Sequence, residues 1–427
     1  NFRFATPGMV EEFHFDVAAI TQIWVVWSLA YGTGQLINGL LADRIGGKTS
    51  MLVGAVGTIV CNFIFGFSSF VGTLTTFGLI AILNGWFQSC GAPGMIKINA
   101  AWFARQERGT FAGIFGIMIQ LGQYAINTLA PFLLAGFTVG LWFVGTWVVA
   151  PGSWRVLFII PPFVTAAAAV WMALAAKEEP GQAGFPKAIH DELDDTAGTR
   201  VSLKESFTTI FTHPLVWFYA AAYACTGAVR HSSDQLSVLF FTQQLGIDMK
   251  AKPLSVLIIL NLMTTMAILG SVISGWVSDR FFGGHRSPVA RFLYLLEAGV
   301  IALAALMMFS GLIKPGLLGV TLGGFFLVLV SFTVNSTHSV VGAAAPMDIG
   351  GKKMAGFAAG VIDSFQYYGS AVCLFASGLL IKKFGWAAWY PIMVLFALGG
   401  ALAMHHVRKV QKRHLDSPDG DPRIKNS

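Results

Sequence analysis

The sequence predicts an all-α membrane protein of twelve transmembrane helices in two six-helix bundles, the first helix truncated. Three observations predict it. The chain of 427 residues is 55% hydrophobic and 11% charged, with a mean hydropathy of +0.66, whereas soluble domains carry about 25% charged residues. Apolar runs recur along it, near the ~20 residues that cross ~30 Å of hydrocarbon. A short loop sequence appears twice, about half a chain apart.

In chain order, residues 1–13 read as the end of a first helix. The chain opens at Asn1 without a methionine, so an N-terminal truncation is expected. Apolar runs follow at 17–41, 50–69, 73–101, 109–135 and 154–176. The polar stretch 177–206 interrupts them and reads as a linker. Six more runs follow at 213–241, 254–278, 289–312, 316–345, 355–381 and 386–407. The expected domains are an N-terminal bundle over 1–176, a cytoplasmic linker over 177–212 and a C-terminal bundle over 213–407. A basic, disordered tail is expected over 408–427. Residues 136–152 are apolar but short, and predict an outer-side hairpin at the lipid interface anchored by Trp142 and Trp147.

Lysine and arginine in short loops set orientation. Loops after even-numbered spans carry Arg44, Lys48, Arg105, Arg108, Lys177, Arg200, Arg280, Arg286, Lys352 and Lys353, and the tail adds Arg408, Lys409, Lys412 and Arg413. The opposite side has Lys250 and Lys252, Lys314, and Lys382 and Lys383, and the first set is richer. Both termini are therefore expected in the cytoplasm. The same loops account for the net charge of +7, and no basic-aromatic alternation points to nucleic acid. Cys61, Cys90, Cys225 and Cys373 fall in apolar runs without metal spacing and read as packing thiols. No P-loop, Ser-His-Asp or H-E-x-x-H pattern is present, so neither ATP-driven transport nor an enzyme is expected. No cofactor or metal is implied.

The run 213–241 carries Arg230 and Asp234 well inside it. A charge at mid-membrane costs at least ~2.5–3.5 kcal/mol and usually marks a substrate path. Spaced four apart, the two share a helix face and can partly neutralise each other. Arg230 then either lines a water-filled cavity and holds an anion, or serves with Asp234 as a buried staple.

Residues 39–48, GLLADRIGGK, match 275–286, GWVSDRFFGGHR, as G-x-x-x-D-R with trailing glycines and a basic residue. Gly109-x12-Gly122 is echoed by Gly356-x12-Gly369. Repeats of this kind mark transporters whose halves rock about a central site. The chain here resembles the major facilitator superfamily, which uses the motif in its inner gate. The resemblance makes Gly39, Asp43, Arg44, Gly275, Asp279 and Arg280 gating residues. The glycines would permit close helix contact, and the charges would pair across the seam.

A narrower resemblance spans nearly the whole chain. Residues 1–12, 84–97, 102–109 and 226–240 are similar to the organophosphate:phosphate antiporters, the glycerol-3-phosphate and hexose-phosphate transporters. These exchange a phosphate ester for phosphate and hold the phosphate with two arginines, on helices 1 and 7. Arg230 matches the second. The first would lie just before Asn1. Lys97 falls where the family has Arg or Lys in helix 4. The family's helix 5 histidine falls on Ile119, its helix 2 lysine on Gln35 and its helix 8 glutamate on Thr264. The resemblance implies a bacterial inner-membrane monomer, moving an organic anion against phosphate or protons.

The other candidates each have two readings. Lys97 lines the cavity or snorkels. Gln35 and Gln120 bond substrate hydroxyls or other helices. His338 and Asp363 line the cavity or carry a proton; otherwise His338 makes an interhelical bond and Asp363 caps a cytoplasmic end. Tyr31 stacks on ligand or packs between helices. Two rival functions stand beside phosphate-ester exchange: a proton-coupled symporter of a non-phosphorylated anion, and a sugar-phosphate sensor that does not transport.

Overall fold

The structure is a computed structural model, and it describes residues 1–67, 72–102, 105–141, 145–185, 208, 211–251, 253–282 and 286–416. The N-terminal half contains α1 (Phe2–Phe13), α2 (Val17–Ile45), α3 (Gly47–Phe67), α4 (Leu74–Gln88), α5 (Gly91–Trp102), α6 (Arg105–Leu134) and α7 (Val156–Ala175). The C-terminal half contains α8 (Pro214–Gln243), α9 (Leu254–Phe282), α10 (Arg286–Phe309), α11 (Leu317–Phe384) and α12 (Trp389–Asp416).

Local chemistry fixes several boundaries. The Asp16 carboxylate accepts from the Ala19 amide at 2.7 Å and starts α2. Gly46, with φ 91°, closes it. Thr73 and Thr76 cap each other at the start of α4. Pro214 opens α8, where a missing N–H costs nothing.

The run 73–101 is one span in sequence but two helices in the structure. Ser89 Oγ donates to the Trp86 carbonyl at 2.6 Å and accepts from Asn38 Nδ2 at 2.7 Å. Such side-chain bonding competes with the helical ladder, and the chain breaks at Ser89–Cys90.

Conversely, 316–345 and 355–381 fall within one helical run, α11. It folds back on itself. His338 and Gln366 lie 28 residues apart, ~42 Å along a straight helix, yet meet α8 at Tyr223 and Gly227, four residues apart. Gly227 and Gly369 make that approach possible, because a Cβ on either would collide with the other helix's main chain.

Eight helical segments among the described residues are long and apolar enough to span a membrane. Neither α2 nor α8 is among them, although each is about 30 residues long. Both carry polar groups toward the interior between the halves.

Two strands, β1 (Phe137–Leu141) and β2 (Gly145–Val149), pair antiparallel, with Phe137 opposite Val149. Trp147 and Val148 are exposed on β2, and Trp142 lies outside the described residues. The basic stretch from Arg408 begins as a continuation of α12 to Asp416, not as a disordered tail, and 417–427 lie outside the described residues. Most of the linker does too. Its first residues are anchored: the Glu178 carboxylate accepts from the Gly47 and Lys48 amides at 3.0 and 2.8 Å, capping α3. The four cysteines are unpaired, three buried and Cys225 half-buried.

The halves meet along three seams. α1 packs on α8, α2 on α11 and α6 on α9. Asn127 on α6 donates to the Leu260 carbonyl and Thr264 Oγ1 of α9, at 3.0 and 3.1 Å. Ser28 and Ser370 join α2 to α11.

Candidate functional site

Where the seams converge the chain encloses a cavity of about 530 Å³. A smaller one of about 40 Å³ adjoins it, and Arg3, Arg230 and Asp234 border both. Arg3 comes from the first turn of α1 and Arg230 from the middle of α8. One guanidinium thus comes from each half.

Arg3 is 8% exposed and went unrecognised in the sequence. It donates to Asn127 Oδ1 and, at 3.2 Å, to the main-chain oxygen of Asp234. Its Nη1 also lies 3.8 Å from Asp234 Oδ1. This weighs against the alternative of an Arg230–Asp234 staple: among the described residues Asp234 pairs with Arg3 on another helix, not with Arg230 one turn away. It also means that a helix 1 arginine borders the cavity within this sequence. The argument that singled out Arg230, a cation inside an apolar helix, applies equally to Arg3.

Arg230 is half-buried, and its Nη1 donates to Gln366 Oε1 at 3.4 Å. Gln366 donates in turn to Asp363, which also meets Gln35. Asp363 therefore borders neither cavity; it holds Gln366, which holds Arg230. Gln35 is buried at that α2–α11 contact, away from the cavity. The guanidinium of Arg230 is thus positioned by a carboxamide, within electrostatic reach of the Asp363 carboxyl. Two guanidiniums in a partly desolvated cavity can grip one planar or tetrahedral oxyanion through forked N–H pairs.

The remaining candidates separate. Tyr31 lines the main cavity, its ring 4.2 Å from that of Tyr367. Gln120 lines the smaller one, with Thr264. Ile119 lines both. Lys97 does neither; its Nζ donates to the Ala42 carbonyl at 2.9 Å, at the linker end of α2. His338 is also away from both cavities, its Nδ1 2.8 Å from Tyr223 Oη. Arg44 and Arg280 are exposed. The side chains of Asp43 and Asp279 lie outside the described residues. A Cβ built on Gly39 or Gly275 meets nothing within 4 Å, so the expected close helix contact is not made there.

At the end of the bundle opposite the linker, two further ion pairs cross between the halves. Lys382 lies 2.7 Å from Asp16, and Lys250 lies 3.0 Å from Glu11.

Two helical halves meeting around a cavity with a cation from each define the class: a polytopic membrane protein of the transporter type. A family model of the Major Facilitator Superfamily matches residues 1–373, and the chain belongs to that superfamily. It is 22% identical over 418 residues to the membrane sensor protein UhpC of Escherichia coli (strain K12), covering 95% of this chain and 87% of that protein. It is 23% identical over 441 residues to the hexose-6-phosphate:phosphate antiporter of the same organism, covering 97% and 87%. In fold it is similar to a bacterial homologue of the human lysosomal transporter Spinster, with a TM-score of 0.70 at 13% identity, over 96% and 95% of the two chains.

Proposed function

We propose that this protein is a secondary transporter that exchanges a phosphate ester for inorganic phosphate by alternating access. The observation that carries the reading is the convergence of Arg3 and Arg230, one from each half, on a single cavity. An oxyanion bound to both draws the halves together, and the loaded carrier then reorients more readily than the empty one. Similarity to a hexose-6-phosphate:phosphate antiporter supports the phosphate head group. The protein works as a monomer in a bacterial inner membrane with both termini cytoplasmic, an orientation supported by the excess of lysine and arginine in loops after even-numbered spans. Asp43 and Asp279 act in the inner gate, a role supported by the duplicated loop.

The test is counterflow in proteoliposomes loaded with phosphate. External phosphate esters should drive labelled phosphate out, while a pH gradient alone should not. Uptake driven by a proton gradient without phosphate inside would replace exchange by symport. The similarity to UhpC favours one further reading, a sensor that binds the ester without moving it. Saturable binding with no counterflow would select that reading.

A further inference from the structure

The cavity has a second wall that the anion does not need. It is built by α3 and α4 beside α2, and its polar groups include Asn62, Asn84 and Gln88. Their hydrogen-bonding capacity is only partly used. Asn62 Nδ2 donates to the Thr58 carbonyl at 2.7 Å, which leaves its Oδ1 as an acceptor. Gln88 Nε2 donates to Asn84 Oδ1 at 3.1 Å, which leaves Gln88 Oε1 as an acceptor and Asn84 Nδ2 as a donor. The wall therefore offers donors and acceptors interleaved.

We propose that Asn62, Asn84 and Gln88 form a second subsite that binds hydroxyl groups on the organic part of the substrate. This rests on the reading of the cavity as an organic-anion site. A hydroxyl both donates and accepts, so it matches such a wall. A second oxyanion accepts only and would face the free oxygens of Asn62 and Gln88. An alkyl chain would leave several carboxamide atoms without partners, which is costly in a desolvated site. The volume of about 530 Å³ leaves room for both parts of such a molecule, within the ~300–1,000 Å³ of ordinary small-molecule sites. The arginines then hold the shared anionic group, and the carboxamide wall separates one organic part from another.

The experiment uses the full chain in proteoliposomes and two matched pairs of substrates. One pair is glycerol 3-phosphate and propyl phosphate. The other is gluconate and hexanoate. The readout is the ratio of kcat/KM for the hydroxylated member to that for its unhydroxylated partner. Wild type should favour the hydroxylated member. Asn84→Leu and Gln88→Met each remove hydrogen-bonding atoms at nearly constant volume, and either should lower the ratio by about five- to tenfold, the scale of one lost hydrogen bond. Two variants keep the test alive if one fails to insert. A ratio unchanged in both, or equal losses on both members of a pair, would overturn the subsite. The head group is read separately. Transport of the carboxylates alone would overturn phosphate-ester exchange and leave the ratio within that pair to decide the subsite. Transport of neither series would overturn both.

Discussion

Lys382 Nζ lies 2.7 Å from Asp16 Oδ2, and the pair ties the start of α2 in one half to the end of α11 in the other. It stands at the same end of the bundle as the Glu11–Lys250 pair. Together they latch the end opposite the linker, so the cavity cannot open there without breaking both. Both pairs are substantially exposed, and pairs of that kind hold by at most about 1 kcal/mol each. Lys382→Ala should therefore shift the two-state balance modestly, up to about fivefold in population. A cysteine in place of Ile23, on the cavity wall, should label faster from that end in the variant. Exchanging the charges, Asp16→Lys with Lys382→Asp, should restore the slow rate. Equal labelling in all three would remove the latch.

The same pair fixes a pH expectation. Burial pushes the Asp16 carboxyl up, but Lys382 and the Ala19 and Ala18 amides outweigh it and hold the group below the usual carboxylate range. A carboxylate lowered on folding contributes above its unfolded value of about 3.9 and is lost only as pH falls through the lower folded value. Between pH 5 and 8 the Asp16 carboxylate stays ionised. Labelling at residue 23 should be flat across that window, and a step within it would assign the gating charge elsewhere.

Glycine positions give a stability contrast. Gly227→Ala would drive a methyl into the main chain of Gln366, where neither helix can give way. It should lower stability by about 1–3 kcal/mol, the scale of overpacking. Gly275→Ala, in the repeated loop motif, meets open space and should stabilise by about 0.5–1 kcal/mol, since alanine is the better helix former. Thermal unfolding in detergent separates the two. Strong destabilisation by Gly275→Ala would restore the close contact expected from the sequence.

Orientation is tested at Gly181, where an added side chain meets nothing within 4 Å. A cysteine there should react with a membrane-impermeant reagent only from the cytoplasmic side. Reaction from outside would invert the topology.

Much of this was legible in the sequence because membrane insertion is read from length and hydropathy, which are local. The twelve-span layout follows from them, and the duplicated loop gives the halves. The site was only half legible, because its geometry is set between helices. Spacing four apart put Arg230 and Asp234 on one face, but it could not show that Arg3 on another helix would take the carboxylate. For His338 the sequence left cavity lining and an interhelical bond both open, and its contact with Tyr223 is of the second kind. The break at Ser89–Cys90 depends on Asn38, about fifty residues earlier. Asn127 gave no charge to notice, yet it links Arg3 to Thr264 across the seam.

Arg3 supplies the sharpest prediction. It is buried, and it has two jobs that a mutation can separate: neutralising Asp234 and presenting a guanidinium to the cavity. Arg3→Ala should abolish exchange on either account, because it leaves Asp234 without its partner and removes half of the anion grip. The Asp234 side chain is 41% exposed, so breaking the pair from one side costs less than the about 3–5 kcal/mol of a fully buried pair. Arg3→Ala combined with Asp234→Ala removes that penalty, since no lone charge remains. If Arg3 serves only the pair, the double variant should insert and exchange nearly as wild type. If it grips the substrate, the double variant should insert normally and still fail to exchange. Arg3→Lys sharpens the distinction: it keeps the charge near Asp234 but loses the fork, so insertion should be preserved and KM should rise about tenfold or more, as expected when a charge-assisted hydrogen bond is lost. Tracer exchange, with protein matched by quantified membrane insertion, reads all three. Near-normal exchange in Arg3→Ala/Asp234→Ala would show that Arg230 binds the anion without Arg3, and would end the two-arginine model of the site.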